Sequence, residues 1–138
     1  MKRKGQGKRL RAILNETGLK SKVLAAKFKI IPATFSNYLR EKREIPFDFA
    51  YELLLEFGYS PFWLIFGSGE KFIPKDFLAS LTQKQITSVY EVEKDRVFLR
   101  QIAESGFRPM FEQLLELDER ERKIFQAIFD RFFPKGSE

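Results

Sequence analysis

The sequence contains no cysteine and no histidine. Without thiols there is neither a disulfide nor a thiolate metal site, a pattern that fits a reducing compartment. Without imidazole, the commonest general base and the commonest transition-metal ligand are both missing. No apolar run approaches the ~20 residues that a membrane-spanning helix requires, so no membrane partner is expected. The basic start, "MKRKGQGKRLR", has no apolar segment behind it of the kind a secretory signal carries. Glycine-rich phosphate loops, internal repeats, low-complexity tracts and alternating strand patterns are absent too. The acidic pairs Glu91/Glu93 and Glu119/Glu121 fall on helix surfaces that the periodicity exposes. Catalysis is therefore not expected, and neither a cofactor nor a metal is implied.

Phenylalanine and positive charge are what the chain is rich in. Sixteen Phe in 138 residues, with 43% hydrophobic residues, supply core for one small domain and a helical extension. The net charge of +6 is unevenly placed. Residues 1–46 carry thirteen Lys/Arg against Glu16, Glu41 and Glu44, a balance of +10, whereas the remainder balances at −4. A basic amino-terminal part on a mildly acidic remainder suggests a localised anionic partner, nucleic acid before a membrane surface. A lysine-rich face that is merely solvated is the plainer alternative.

Hydrophobic spacing predicts helices nearly throughout, and the expected class is all-α. In residues 8–17, Leu10, Ile13 and Leu14 share a stripe that Gly18 ends. A second helix is expected from about Ser21 to Phe28, burying Leu24, Ala25 and Phe28, with Ser21 as its cap. Pro32 suits the first position of a third helix, where its missing N–H is harmless. Phe35, Tyr38 and Leu39 then face inward, and Thr34, Ser36, Asn37 and Arg40 point elsewhere. A fourth helix follows Pro46, with Phe47, Ala50, Leu53, Leu54 and Phe57 available for the core and Gly58 as its stop. "SPFWLIFG" reads as a fifth, capped by Ser60, with Trp63 as core. The segment 67–75, "GSGEKFIPK", breaks any continuing helix and marks a boundary. It divides the chain into residues 1–70 and residues 71–138.

Beyond that boundary, Thr82 and Gln85 fit a capping box, with Leu81 stapled onto Ile86. That helix is expected to reach about Ala103, interrupted at the polar residues 93–96 and ended by Gly106. Asp118 and Glu121 open a last helix in the same way, and Arg131 near its end suits the helix dipole. Ile124, Phe125, Ile128, Phe129, Phe132 and Phe133 give this helix an apolar face broader than the usual ~100° stripe. Part of it is expected to pack internally and part to form a homodimer interface.

The ordered combination of Leu10, the Leu24-Ala25 pair, Ile30, Thr34, Phe35, Ser36, Tyr38, "KREIP" and "SPFWLIFGSGE" resembles one known family. Residues 8–70 look like the lambda-repressor-like (Cro-type) helix-turn-helix DNA-binding domain, phage-repressor subgroup. The resemblance implies a five-helix domain followed by a helical carboxy-terminal extension, acting on double-stranded DNA. It places Pro32, Ala33, Ser36 and Asn37 toward base edges, and Ser21, Lys22, Thr34, Arg40, Lys42 and Arg43 toward the DNA backbone. Asn37 suits an adenine edge, and Ala33 suits a thymine methyl. Lys2, Arg3 and Lys4 would form a basic arm able to enter a minor groove. Lys29 stands where the family favours glycine; at positive φ it would be disfavoured by about 1 kcal/mol. Glu41 likewise replaces a frequent glycine.

The implied function is a sequence-specific transcriptional repressor of phage or mobile-element type, cytoplasmic, binding a palindromic operator as a dimer. The helical tail leaves no strand-like segment for the self-cleaving domain that phage repressors often carry. The alternative is an antitoxin-type protein whose front binds DNA and whose tail neutralises a protein partner.

Overall fold

The computed structural model describes residues 4–135, so Lys2 and Arg3 of the basic arm lie outside the described residues. Among the described residues all regular structure is helical, apart from one isolated antiparallel bridge between Tyr59 and Phe72. The chain divides into two compact units, Met1–Asp95 and Arg96–Glu138.

The first unit contains α1 (Gln6–Thr17), α2 (Ser21–Lys27), α3 (Pro32–Leu39), α4 (Phe47–Phe57), α5 (Pro61–Phe66) and α6 (Lys75–Ala79). It also contains the first half of α7 (Gln83–Ser105). Helix α1 packs on α3 and α5, α2 packs on α3, and α4 packs on α5. The expected apolar positions converge: Leu10, Ile13, Leu24, Ala25, Phe35, Ala50 and Leu53 are all buried. One expectation is corrected. Phe49, two positions from the expected Phe47, is the ring at the centre. It meets Phe28 and Phe35 edge-on at 5.6 and 6.0 Å and stacks on Tyr38 at 5.9 Å. Such ring pairs each add about 0.5–1.5 kcal/mol beyond simple burial. Phe47 instead lies at the margin of the core, stacked on Tyr90 of α7 at 4.3 Å.

Tyr90 explains why this unit runs past the glycine-rich stretch 67–75. Its ring is buried and packs near Phe47, Phe62 and Phe66, so the start of α7 belongs to the same core. The chain between returns to the core as well: Ser60 N–H donates to Lys71 O at 2.8 Å and Ile73 N–H to Gly58 O at 3.0 Å. Glu16, on α1, closes this segment. Its carboxylate accepts from the Tyr59 hydroxyl at 2.7 Å and pairs with the Lys71 ammonium. Lys71 also lies 5.2 Å from the centroid of the Trp63 ring.

The opening of α1 is fitted closely against the end of α3 and the last turn of α5. Gln6 is buried; its amide accepts from Ile45 N–H at 2.9 Å and donates to Ile65 O at 3.2 Å. A single side chain thereby joins the loop after α3 to the last turn of α5. Arg9 donates from Nε to Leu64 O at 2.8 Å and from Nη2 to Ile65 O at 3.2 Å. These are carbonyls of a helix C-terminus, where a cation suits the dipole. Burial pushes the Arg9 pKa below its ordinary value, and Glu41 pulls the other way. Gly7 lies so close to Leu39 that a Cβ there would stand 2.2 Å from its carbonyl oxygen.

The second unit contains the end of α7, α8 (Arg108–Leu115) and α9 (Glu119–Phe132). Both expected capping boxes are present. Thr82 and Gln85 exchange bonds of 2.9 and 3.2 Å at the start of α7, and Asp118 and Glu121 exchange bonds of 3.0 and 2.8 Å at the start of α9. The interruption expected at residues 93–96 is absent, because α7 runs unbroken through them. Polar residues on an exposed helix surface do not break its backbone hydrogen bonds. Helices α6 and α8 are additions to the sequence expectation, each opening beside a proline, Pro74 and Pro109.

Two outcomes follow for stability. Gly7→Ala should lower the urea unfolding free energy by about 1–3 kcal/mol, since backbone must move to admit the methyl. The two bonds to Glu16, first that from Lys71 and then that from Tyr59, hold its pKa below the ordinary carboxylate value of 4.5. Their stabilisation is complete above that value and is lost as pH falls through the lowered folded pKa. Denaturant titrations from pH 6 downward should show this acid loss, and Glu16→Gln should flatten it.

Candidate nucleic-acid interface

Two helix ends built alike frame α3. At the end of α2, Ile30 N–H donates to Ala25 O at 2.9 Å and Lys29 N–H to Ala26 O at 3.2 Å. At the end of α3, Lys42 N–H donates to Asn37 O at 2.9 Å and Glu41 N–H to Tyr38 O at 3.2 Å. Both are the paired 6→1 and 5→2 bonds of a Schellman motif, which places its C′ residue in the left-handed region. Those residues are Lys29 at φ 56° and Glu41 at φ 57°, the two non-glycine residues with positive φ among the described residues. Glycine is the ordinary occupant of such positions. Glu41 brings a compensation that glycine would lack: its carboxylate accepts the Gly7 N–H at 3.1 Å, capping the first turn of α1.

Between these ends α3 buries Phe35 and Tyr38 and turns Pro32, Ala33, Ser36, Asn37 and Arg40 the other way. The spacing i, i+1, i+4, i+5, i+8 gathers these five on one helix face. Pro32, Ala33 and Arg40 are exposed, whereas Thr34, Ser36 and Asn37 are half-buried. A small cleft of about 80 Å³ joins this face to the start of α2, lined by Ser21, Lys22, Pro32 and Ser36 among others. The residues expected to face bases and the first of those expected to face phosphates thus share one surface. Arg40, Lys42 and Arg43 project at the far end of α3 from a loop held down by Gln6 and Glu41. Lys4 is exposed, and its carbonyl accepts from Arg9 Nη2 at 3.4 Å.

Two details alter the sequence reading. Ser21 does not cap α2: it is the first residue of that helix, Lys20 is the N-cap, and no side chain caps the end. Asn37 is engaged by its own helix. Arg40 Nη2 donates to its Oδ1 at 3.3 Å, which leaves the amide NH₂ as the outward group. That arrangement offers donors to a base acceptor; a bidentate adenine contact would require Arg40 to release the oxygen. Sequence reasoning had no means of finding Gln6 and Glu41 as the supports of this loop. Their partners are thirty-nine and thirty-four residues away.

In the second unit, every residue expected at a dimer interface is exposed: Ile124, Phe125, Ile128, Phe129, Phe132 and Phe133. None of the described residues 96–135 is buried. Within the second unit taken by itself, the expected internal packing of part of this face is not observed, and the contacts between its helices are local. Examples are Arg122 to Leu115 O at 3.0 Å and the row of rings Phe125, Phe129 and Phe133 along α9 itself.

No helix among the described residues is long and apolar enough to cross a membrane, and no group of three or more acidic side chains among them could hold a metal ion. No protein-family model, curated protein or solved structure matches the chain.

The left-handed Lys29 gives a direct measurement. Lys29→Gly should raise the unfolding free energy by up to about 1 kcal/mol, less whatever the freer unfolded chain takes back. Thermal melting at matched pH and salt reads the change.

Proposed function

We propose that this chain is a sequence-specific DNA-binding transcriptional repressor, and that α1–α5 act as a helix-turn-helix module of the lambda-repressor-like kind. In this reading α3 lies in the major groove, with Asn37 and Ser36 toward base edges. Arg40, Lys42, Arg43 and Lys22 hold the phosphates on either side. The observation that carries the reading is the face of α3. Its inner residues are locked into the core, its outer residues share one surface, and cations flank both ends on a backbone fixed by two Schellman turns. The concentration of positive charge in residues 1–46 supports the same partner.

The reading extends to a dimer. The exposed apolar face of α9 is matched by no buried residue in its own unit, and burying it against a second copy would supply the core that the unit does not contain. Two modules joined in that way would span a palindromic operator, with reading helices about one DNA turn apart. Repression would follow from occupying the operator against polymerase. The same exposed face also suits the antitoxin reading, in which a partner protein covers it. Sedimentation of the purified chain separates the two: a dimer at micromolar concentration favours the repressor, a monomer that co-purifies with a small protein favours the antitoxin.

Selection from a random duplex pool should return a two-fold symmetric site, bound with an affinity that falls steeply with salt. On that site Asn37→Ala should lower discrimination at one base pair by about 1–3 kcal/mol, whereas Lys42→Ala should weaken all sequences alike and reduce the salt slope by about 1. Equal losses on every sequence from both variants would remove Asn37 from base reading.

A further inference from the structure

Ile31 has neither of the supports usual at its position, and only Pro32 after it pre-sets the start of the helix. It is the N-cap of α3, a position where Ser, Thr, Asp and Asn stabilise a helix and isoleucine is among the poorest choices. Its side chain is not rescued by burial, since the residue is 69% exposed. The core next to it is built from Ile30 and Phe35 instead. A residue that neither caps nor packs, at the tip of the outward-facing helix, marks a place where contact with something else outweighs local stability.

Pro32 and Ala33 follow it, both exposed, so the leading edge of α3 carries three successive side chains without a hydrogen-bonding group. Nearby cations are Lys29 before this edge and Lys22 across the cleft. An apolar tip within a basic surface is poorly suited to a protein's apolar patch, which would leave those ammonium groups facing it. It matches the major groove, where phosphates flank the bases and the one apolar group on offer is the C5-methyl of thymine. We infer that Ile31 is a specificity residue that packs its branched side chain on a thymine methyl at the outer part of each half-site. This rests on the DNA-binding reading and adds to it the residue and the base.

The test uses the full chain and the selected operator with thymines replaced one at a time by deoxyuridine, which removes only the methyl group. The wild-type chain should lose about three- to fivefold in affinity at one thymine per half-site, the change expected from one methyl group. Ile31→Ser should lose nothing further at that position while keeping its discrimination elsewhere, and Ile31→Val should keep most of the methyl dependence. Serine at this position offers the side-chain cap that α3 does not have, so the variant should fold at least as well. Binding that ignores every methyl, or Ile31→Ser that keeps the full dependence, overturns this inference and leaves DNA binding standing. A chain that binds no duplex overturns both.

Discussion

Gly7 lies against the carbonyl of Leu39 with no room for a Cβ between them, and several contacts of the first unit depend on that fit. Only a residue without Cβ lets the start of α1 lie against the end of α3. Once there, two side chains and one backbone N–H are in reach of different parts of the chain. Gln6 bonds Ile45 and Ile65, Arg9 bonds the last carbonyls of α5, and Gly7 presents its N–H to Glu41. The loop bearing Lys42 and Arg43 is therefore held by buried polar bonds from a helix remote in sequence. A satisfied buried network of this kind fixes one arrangement more firmly than apolar packing alone.

The two units show two different relations between sequence and environment. In the first, rings interlock about Phe49, and Tyr90 extends that aromatic core to the start of α7. In the second, the Asp118–Glu121 capping box and i,i+4 pairs such as Arg108–Glu112 support the helices locally, and apolar side chains remain in contact with water. Such pairs contribute only a few tenths of a kcal/mol each. Association as proposed would convert this surface into core, which ties the fold of the tail to the concentration of its partner.

Much of the helical plan was legible because it is written in short-range chemistry. Periodicity, glycine stops, Pro32 and Pro61 at helix starts, and the Thr82 and Asp118 capping boxes depend on neighbours three or four residues apart. The errors have a common physical origin. Phe47 and Phe49 are indistinguishable by composition; Phe49 is central because Phe28, Phe35 and Tyr38 surround it, and Phe47 is left to meet Tyr90 of α7. The unit boundary moved from residues 67–75 to the middle of α7 because Tyr90 and Lys71 reach back to distant partners. For the candidate interface, spacing set Ser36, Asn37 and Arg40 away from the core and the family resemblance added Pro32 and Ala33; the structure has these five on one face of α3. The bond from Arg40 to Asn37, the uncapped start of α2 and the exposure of Ile31 depend on rotamers and backbone angles that spacing does not encode.

Helix α3 begins after one left-handed residue and ends before another, and neither turn uses an outward side chain of the helix to close. The eight-residue insert is thus anchored by its backbone and by two inward rings, Phe35 and Tyr38. Apart from Pro32 at the helix start and the bond from Arg40 to Asn37, its outward letters carry no structural duty. The scaffold can exchange most of them without disturbing the core, so what this face contacts could change without compensating changes elsewhere. Glycine at either hinge would make the frame easier to form; lysine and glutamate there make it part of a charged surface as well.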